Sequence, residues 1–108
     1  MATAAVTQNV FRAIADPLRR GILDRLARDG ATAALQLGDG FDGSQPALSK
    51  HLRVLRTAGL VRVRRDGRRQ LYSLDPRPLA HVERWISLYR AFWADRLDNL
   101  ARHLDQSS

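Results

Sequence analysis

The sequence predicts a mainly α domain that carries one small β-hairpin and closes on a long helix. Three observations predict it. Apolar residues recur at helical spacing through the first and last parts of the chain, and two alternating segments flank Asp66-Gly67. After Pro78 the chain contains neither proline nor glycine. The length of 108 residues, with 44% hydrophobic and 27% charged, suits one globular domain with one modest core.

The elements follow in order. Val10, Phe11, Ile14 and Ala15 have helical spacing after a frayed start. Asp16-Pro17 ends that helix and begins the next, with Asp16 as N-cap and Pro17 at the first helical position, where a missing N–H costs nothing. Leu18, Ile22, Leu23 and Leu26 form one apolar stripe that Gly30 terminates. Thr32 is expected to cap a third, poorer helix over Ala33 to Leu37, with an ill-defined end because Gly38 and Gly40 are bad helix residues. Ser44 is the expected N-cap of the next helix, and Pro46 sits in its first turn. Within it Leu48, Leu52 and Leu55 face the core, while Gln45, Ser49, Lys50, Arg53 and Arg56 project elsewhere. That helix stops at Gly59. Segments 61–65 and 70–74 then make an antiparallel hairpin turning at Asp66-Gly67.

Pro76 and Pro78 bracket the last start. From there Leu79, Val82, Ile86, Tyr89, Trp93, Leu97, Leu100 and Leu104 step by three or four, a seam roughly 40 Å long. Trp85, Leu88 and Phe92 widen it. A body this small cannot cover so long and aromatic a stripe, so a homodimer is expected, with Phe11 of the first helix joining the interface.

Charge is the strongest functional signal. The net charge is +7, and Ser44 to Leu74 carries all of it: Lys50, Arg53, Arg56, Arg62, Arg64, Arg65, Arg68 and Arg69 against Asp66 alone. The rest of the chain is balanced. A face concentrated in this way steers a polyanion, and nucleic acid phosphate has the matching charge density. Other classes fall away. The chain has no cysteine, which excludes disulfides, thiolate metal sites and thiol redox sensing. No run approaches the roughly 18 apolar residues of a membrane span, and Met1 to Val10 has no signal-peptide pattern, so a cytoplasmic protein with no membrane partner is expected.

Helix, turn, Ser44-capped helix and basic hairpin are the parts of a winged helix-turn-helix, in which the second helix enters the major groove and the hairpin lies along the adjacent backbone. Phe11 to Leu23, Ser44 to Val61 and Asp66-Gly-Arg-Arg-Gln-Leu-Tyr72 together resemble the ArsR/SmtB family of bacterial transcriptional regulators. The resemblance covers roughly Phe11 to Leu74. It implies a homodimeric repressor that releases its operator when a small-molecule effector, unnamed by the residues, arrives. It divides residues 1–108 into an N-terminal helix (1–15), a DNA-binding core (16–74, wing 61–74) and a dimerisation helix (76–105). The Ser44 to Ala58 helix becomes the recognition helix, with Gln45, Ser49, Lys50 and His51 toward DNA, and Asp66 to Arg69 becomes the wing tip. One departure is visible: Gly38-Asp39-Gly40 interrupts the helix the family carries between Thr32 and Ser44.

Chemistry assigns roles within this frame. Ser44, Gln45 and Ser49 lie near the helix start, where side chains reach base edges; Gln prefers adenine and Ser is permissive. Lys50, Arg53 and Arg56 suit phosphate, as do Arg64, Arg65, Arg68 and Arg69, with Arg68 foremost because it follows the turn glycine. Metal sensing does not fit, since the thiolate sites need cysteines and His81 lies 22 residues from His103, about 33 Å along a straight helix. Only an antiparallel dimer brings those two together. No cofactor pattern occurs. Trp85, Tyr89, Phe92 and Trp93 could line an effector pocket, but a stripe at helical spacing reads first as interface. An enzyme is not expected, because Ser49 and His51 diverge by about 200° on a helix and no phosphate loop or paired carboxylates appear. Two competing readings use the same basic face: a sequence-tolerant architectural DNA-binding protein, and a winged-helix module that docks an acidic protein.

Overall fold

The computed structural model describes residues 2–107. Helix α1 (Ala2–Ile14) leads to α2 (Pro17–Asp29), a two-residue strand β1 (Thr32–Ala33), short α3 (Ala34–Gly38), α4 (Gln45–Thr57), the hairpin β2 (Val61–Asp66) and β3 (Arg69–Leu74), a 3₁₀ turn (Arg77–Leu79), and α5 (Ala80–Ser107). The three strands form one antiparallel sheet in the order β1-β3-β2.

Caps set the helix boundaries as expected. The Asp16 carboxylate accepts from the Leu18 N–H at 2.7 Å and the Arg19 N–H at 3.3 Å, and Pro17 occupies the first helical position. Ser44 Oγ accepts from the Ala47 N–H at 3.2 Å and starts α4. The core gathers Val10 and Ala13 from α1, Ile22, Leu23 and Leu26 from α2, Leu37, then Leu48, Leu52 and Leu55 from α4, closed by Leu60, Val61 and Tyr72. Leu26, Leu55, Leu60 and Val10 are fully enclosed. Leu18 departs from the stripe assigned to it and stands exposed, while Ile22, Leu23 and Leu26 are buried.

Three expectations need correction. The first helix has no frayed start, for it is already formed at Ala2. Thr32 does not cap a helix: it is a buried strand residue opposite Tyr72, with Ala33 opposite Leu71, and its hydroxyl donates back to the Gly30 carbonyl at 2.9 Å. The hairpin is therefore a three-stranded sheet, and α3 starts one residue later than expected. Third, the turn is displaced by one residue. Asp66 pairs with Arg69, so the two loop residues are Gly67 and Arg68. Gly67 has φ 63, whereas no non-glycine residue among those described has positive φ. A glycine first and an ordinary residue second is the pattern of a type II′ turn, not the type I′ turn that Asp-Gly suggests.

Candidate nucleic-acid interface

Helix α4 is seated from one side. Leu48, Leu52 and Leu55 bury into the body, which leaves Gln45, Ser49, Lys50, Arg53 and Arg56 exposed on the rest of its surface. Beside its first turn the interrupted stretch is compact: α3 ends at Gly38, Gly40 turns the chain at φ 90, and Arg25 of α2 donates to the Asp39 carbonyl at 2.7 Å. Gly38 has a further use. A Cβ there would stand 3.3 Å from Gln45 Oε1, so a hydrogen at this position lets the Gln45 side chain lie close to the end of α3.

His51 differs from its neighbours on the helix. It is half-buried, its Nδ1 lies 3.2 Å from Arg19 Nη1, and its ring meets the Phe41 ring edge-on at 5.9 Å between centroids. Gln45 and Ser49, expected to face DNA with it, are exposed where His51 is half-buried. Arg19 is the residue that sequence reasoning missed. Its Nε donates to the Ala13 carbonyl and its Nη2 to the Arg12 carbonyl, both at 2.8 Å, which satisfies the open end of α1. With its ion pair to Asp16 at 3.9 Å, one guanidinium joins α1, the cap of α2 and the recognition-helix candidate α4. Its spacing could have exposed it, since Arg19 stands three and four residues before the buried Ile22 and Leu23.

Asp16 sits under the same group. Partial desolvation raises its pKa, but the Leu18 and Arg19 N–H groups, the Arg19 charge and His51 outweigh that and hold it below the ordinary carboxylate value.

Ion pairs involve Arg19, Arg25, Arg28, Arg62, Arg77 and Arg90. Among the described residues, Lys50, Arg53 and Arg56 of α4 and Arg64, Arg65, Arg68 and Arg69 of the wing make neither an ion pair nor a side-chain hydrogen bond, and the same holds of Arg12 and Arg84 elsewhere. All seven on α4 and the wing are exposed. Arg62 stands apart from the other wing arginines, for its Nε donates to the buried Asp75 carboxylate at 3.0 Å.

The structure also splits the apolar seam of α5. Leu79 and Val82, placed in the interface by their spacing, are half-buried and pack against the chain's own core. Ile86 is half-buried. Beyond it Trp85, Leu88, Tyr89, Phe92, Trp93, Leu97, Leu100 and Leu104 are 45% to 75% exposed. Phe11 reaches the near end of this face, meeting Trp85 edge-on at 5.8 Å, and Trp85 meets Tyr89 at 5.5 Å. No described helix is long and apolar enough to cross a membrane. Among the described residues no three candidate metal ligands come together; His81 Nδ1 lies 2.9 Å from Thr7 Oγ1.

Comparison with known proteins agrees with this geometry. A family model described as a helix-turn-helix domain matches residues 14–64. The HTH-type transcriptional regulator Rv2034 of Mycobacterium tuberculosis is 38% identical over 97% of this chain and 94% of its own. The transcriptional repressor SdpR of Bacillus subtilis is 38% identical over 72% and 86%. Among solved structures, an ArsR-like transcriptional regulator from Rhodococcus sp. RHA1 superposes with a TM-score of 0.71 at 31% identity, covering 93% of each chain. A homodimeric winged helix-turn-helix DNA-binding domain from Mycobacterium bovis, a possible ArsR-family regulator, gives 0.65 at 28% identity over 83% and 82%. Fold and surface thus define a winged helix-turn-helix protein. The chain belongs to the ArsR/SmtB family of transcriptional regulators.

Proposed function

We propose that this protein is a cytoplasmic, sequence-specific double-stranded DNA-binding regulator that represses transcription as a homodimer at a pseudopalindromic operator and carries out no catalytic step. The observation that supports it best is the set of seven uncompensated cations on α4 and the wing. A cation without an internal partner keeps its full attraction for phosphate, whereas a paired one must first give up its carboxylate. In this reading Ser44, Gln45 and Ser49 address base edges from the first turns of α4. Lys50, Arg53, Arg64, Arg65, Arg68 and Arg69 hold the backbone. The open face of α5, with Ile86, Tyr89, Trp93, Leu97, Leu100 and Phe11 of α1, covers itself against a second copy. Half-sites then lie one helical turn apart, roughly 34 to 36 Å, or a multiple of it.

Selection of bound duplexes from a random pool, followed by sequencing, tests this directly. A two-fold symmetric motif with that spacing is the expected outcome. Recovery of duplexes with no common motif would replace this reading with the architectural one.

A further inference from the structure

At the root of the wing, away from its tip, a cleft of about 580 Å³ opens between the end of α4, the start of β2 and the start of α5. Its walls carry Arg56, Arg62, Arg77 and His81, with Asp75 at the base. Asp75 is buried, and each carboxylate oxygen is occupied. Arg62 Nε donates to it at 3.0 Å, Arg77 Nη2 at 2.7 Å and Nε at 3.0 Å, and the Arg77 N–H at 3.1 Å. One carboxylate therefore holds two guanidinium groups in place without neutralising both. Arg56 adds a third and makes no ion pair of its own among the described residues. Three arginines and one carboxylate thus line the cleft, a surplus of two positive charges.

We infer that this cleft is a binding site for a small dianion, a phosphate monoester or a short dicarboxylate. The fit is chemical. Arg62 spends only its Nε on Asp75, and Arg77 its Nε and one Nη, so N–H donors of both remain for a second acceptor. The cleft is roomy enough for a small organic anion. The place is separate from the DNA-facing tip: Arg62 and Asp75 lie at the open end of strands six residues long, about 20 Å from the Gly67-Arg68 turn. The inference concerns binding alone and stands or falls independently of any operator.

Amide-resolved NMR titration of the full chain tests it, using inorganic phosphate and succinate separately against chloride at matched ionic strength, above neutral pH where phosphate is chiefly dianionic. Saturating shifts at Gly59, Arg62, Asp75 and Arg77 are expected, with only weak, non-saturating shifts at Gly67 and Arg68. Saturation by phosphate marks the site for phosphate esters, and saturation by succinate alone marks it for dicarboxylates. Arg56→Gln should raise the dissociation constant about tenfold while leaving the Asp75 cluster whole. An Arg68→Gln, Arg69→Gln double variant should leave it unchanged. If neither anion saturates, or if the wing-tip variant weakens binding as much as Arg56→Gln does, the site does not exist.

Discussion

Thr32 lies directly opposite Tyr72 across the β1-β3 ladder, and both are buried. This pairing ties the wing to the segment between α2 and α3, so the hairpin is not a free arm. Tyr72 also belongs to the core that α4 joins. Tyr72→Ala should therefore cost about 3 kcal/mol of unfolding free energy, in the range for large-to-small aromatic changes in cores. Urea denaturation followed by circular dichroism measures it. A loss well under 1 kcal/mol would mean that the wing is not anchored through this residue.

On α4, base-facing and phosphate-facing substitutions should separate. Gln45→Ala and Ser49→Ala are each expected to lose about 1 to 3 kcal/mol of discrimination between the operator and a scrambled duplex, with little change on the scrambled one. Fluorescence anisotropy at fixed salt gives both numbers.

The wing variant Arg68→Ala should behave oppositely. It is expected to weaken every duplex alike and reduce the slope of log affinity against log salt by about 1. With about 6 to 10 phosphate contacts per dimer, the parent should lose on the order of 10³ to 10⁵ in affinity between 50 and 200 mM salt. A parent that hardly responds to salt contradicts the interface.

The distal part of α5 should control assembly without affecting the fold. Leu97→Glu with Leu100→Glu alters residues that are 63% and 53% exposed in the single chain and lie outside its core. Sedimentation velocity should then show monomers where the parent shows dimers. Operator affinity should fall steeply, because the two half-sites are no longer read together. Retention of the dimer would place the interface elsewhere.

Asp16 supplies a pH signature. Its folded-state pKa is lowered, so its contribution is fully present above the unfolded carboxylate value and is lost as pH falls through the folded one. Urea midpoints of the parent and Asp16→Asn should differ by a constant amount near neutrality and converge in acid, below the ordinary aspartate range. Parallel curves at all pH values would show that the Asp16 charge plays no part.

Much of this was legible because it rests on local rules. Asp16-Pro17 and Ser44 declare themselves as helix starts through side-chain chemistry, and Leu48, Leu52 and Leu55 declare a buried face through spacing. What escaped depends on partners distant in sequence. A strand of two residues has no periodicity, so Thr32, ahead of an apolar run, reads as a cap until Tyr72 is seen opposite it. Leu79 and Val82 continue the seam of α5 in spacing, yet the body reaches them first. His51 stands three residues after Leu48 and four before Leu55, spacing that belongs to the buried edge of α4. The resemblance drew it outward; the Arg19 and Phe41 contacts turn it in. The unpaired state of the wing cations follows from no motif, since composition counts charges without pairing them.

The broad face that α5 leaves uncovered also links abundance to form. A single chain keeps two indoles and a row of leucines exposed, so the proposed dimer forms in proportion to how much of the chain is present. In the proposed homodimer, scarcity favours lone chains, each meeting half a site, and plenty favours couples that meet both. The proposed assembly thus places a concentration threshold in the last helix.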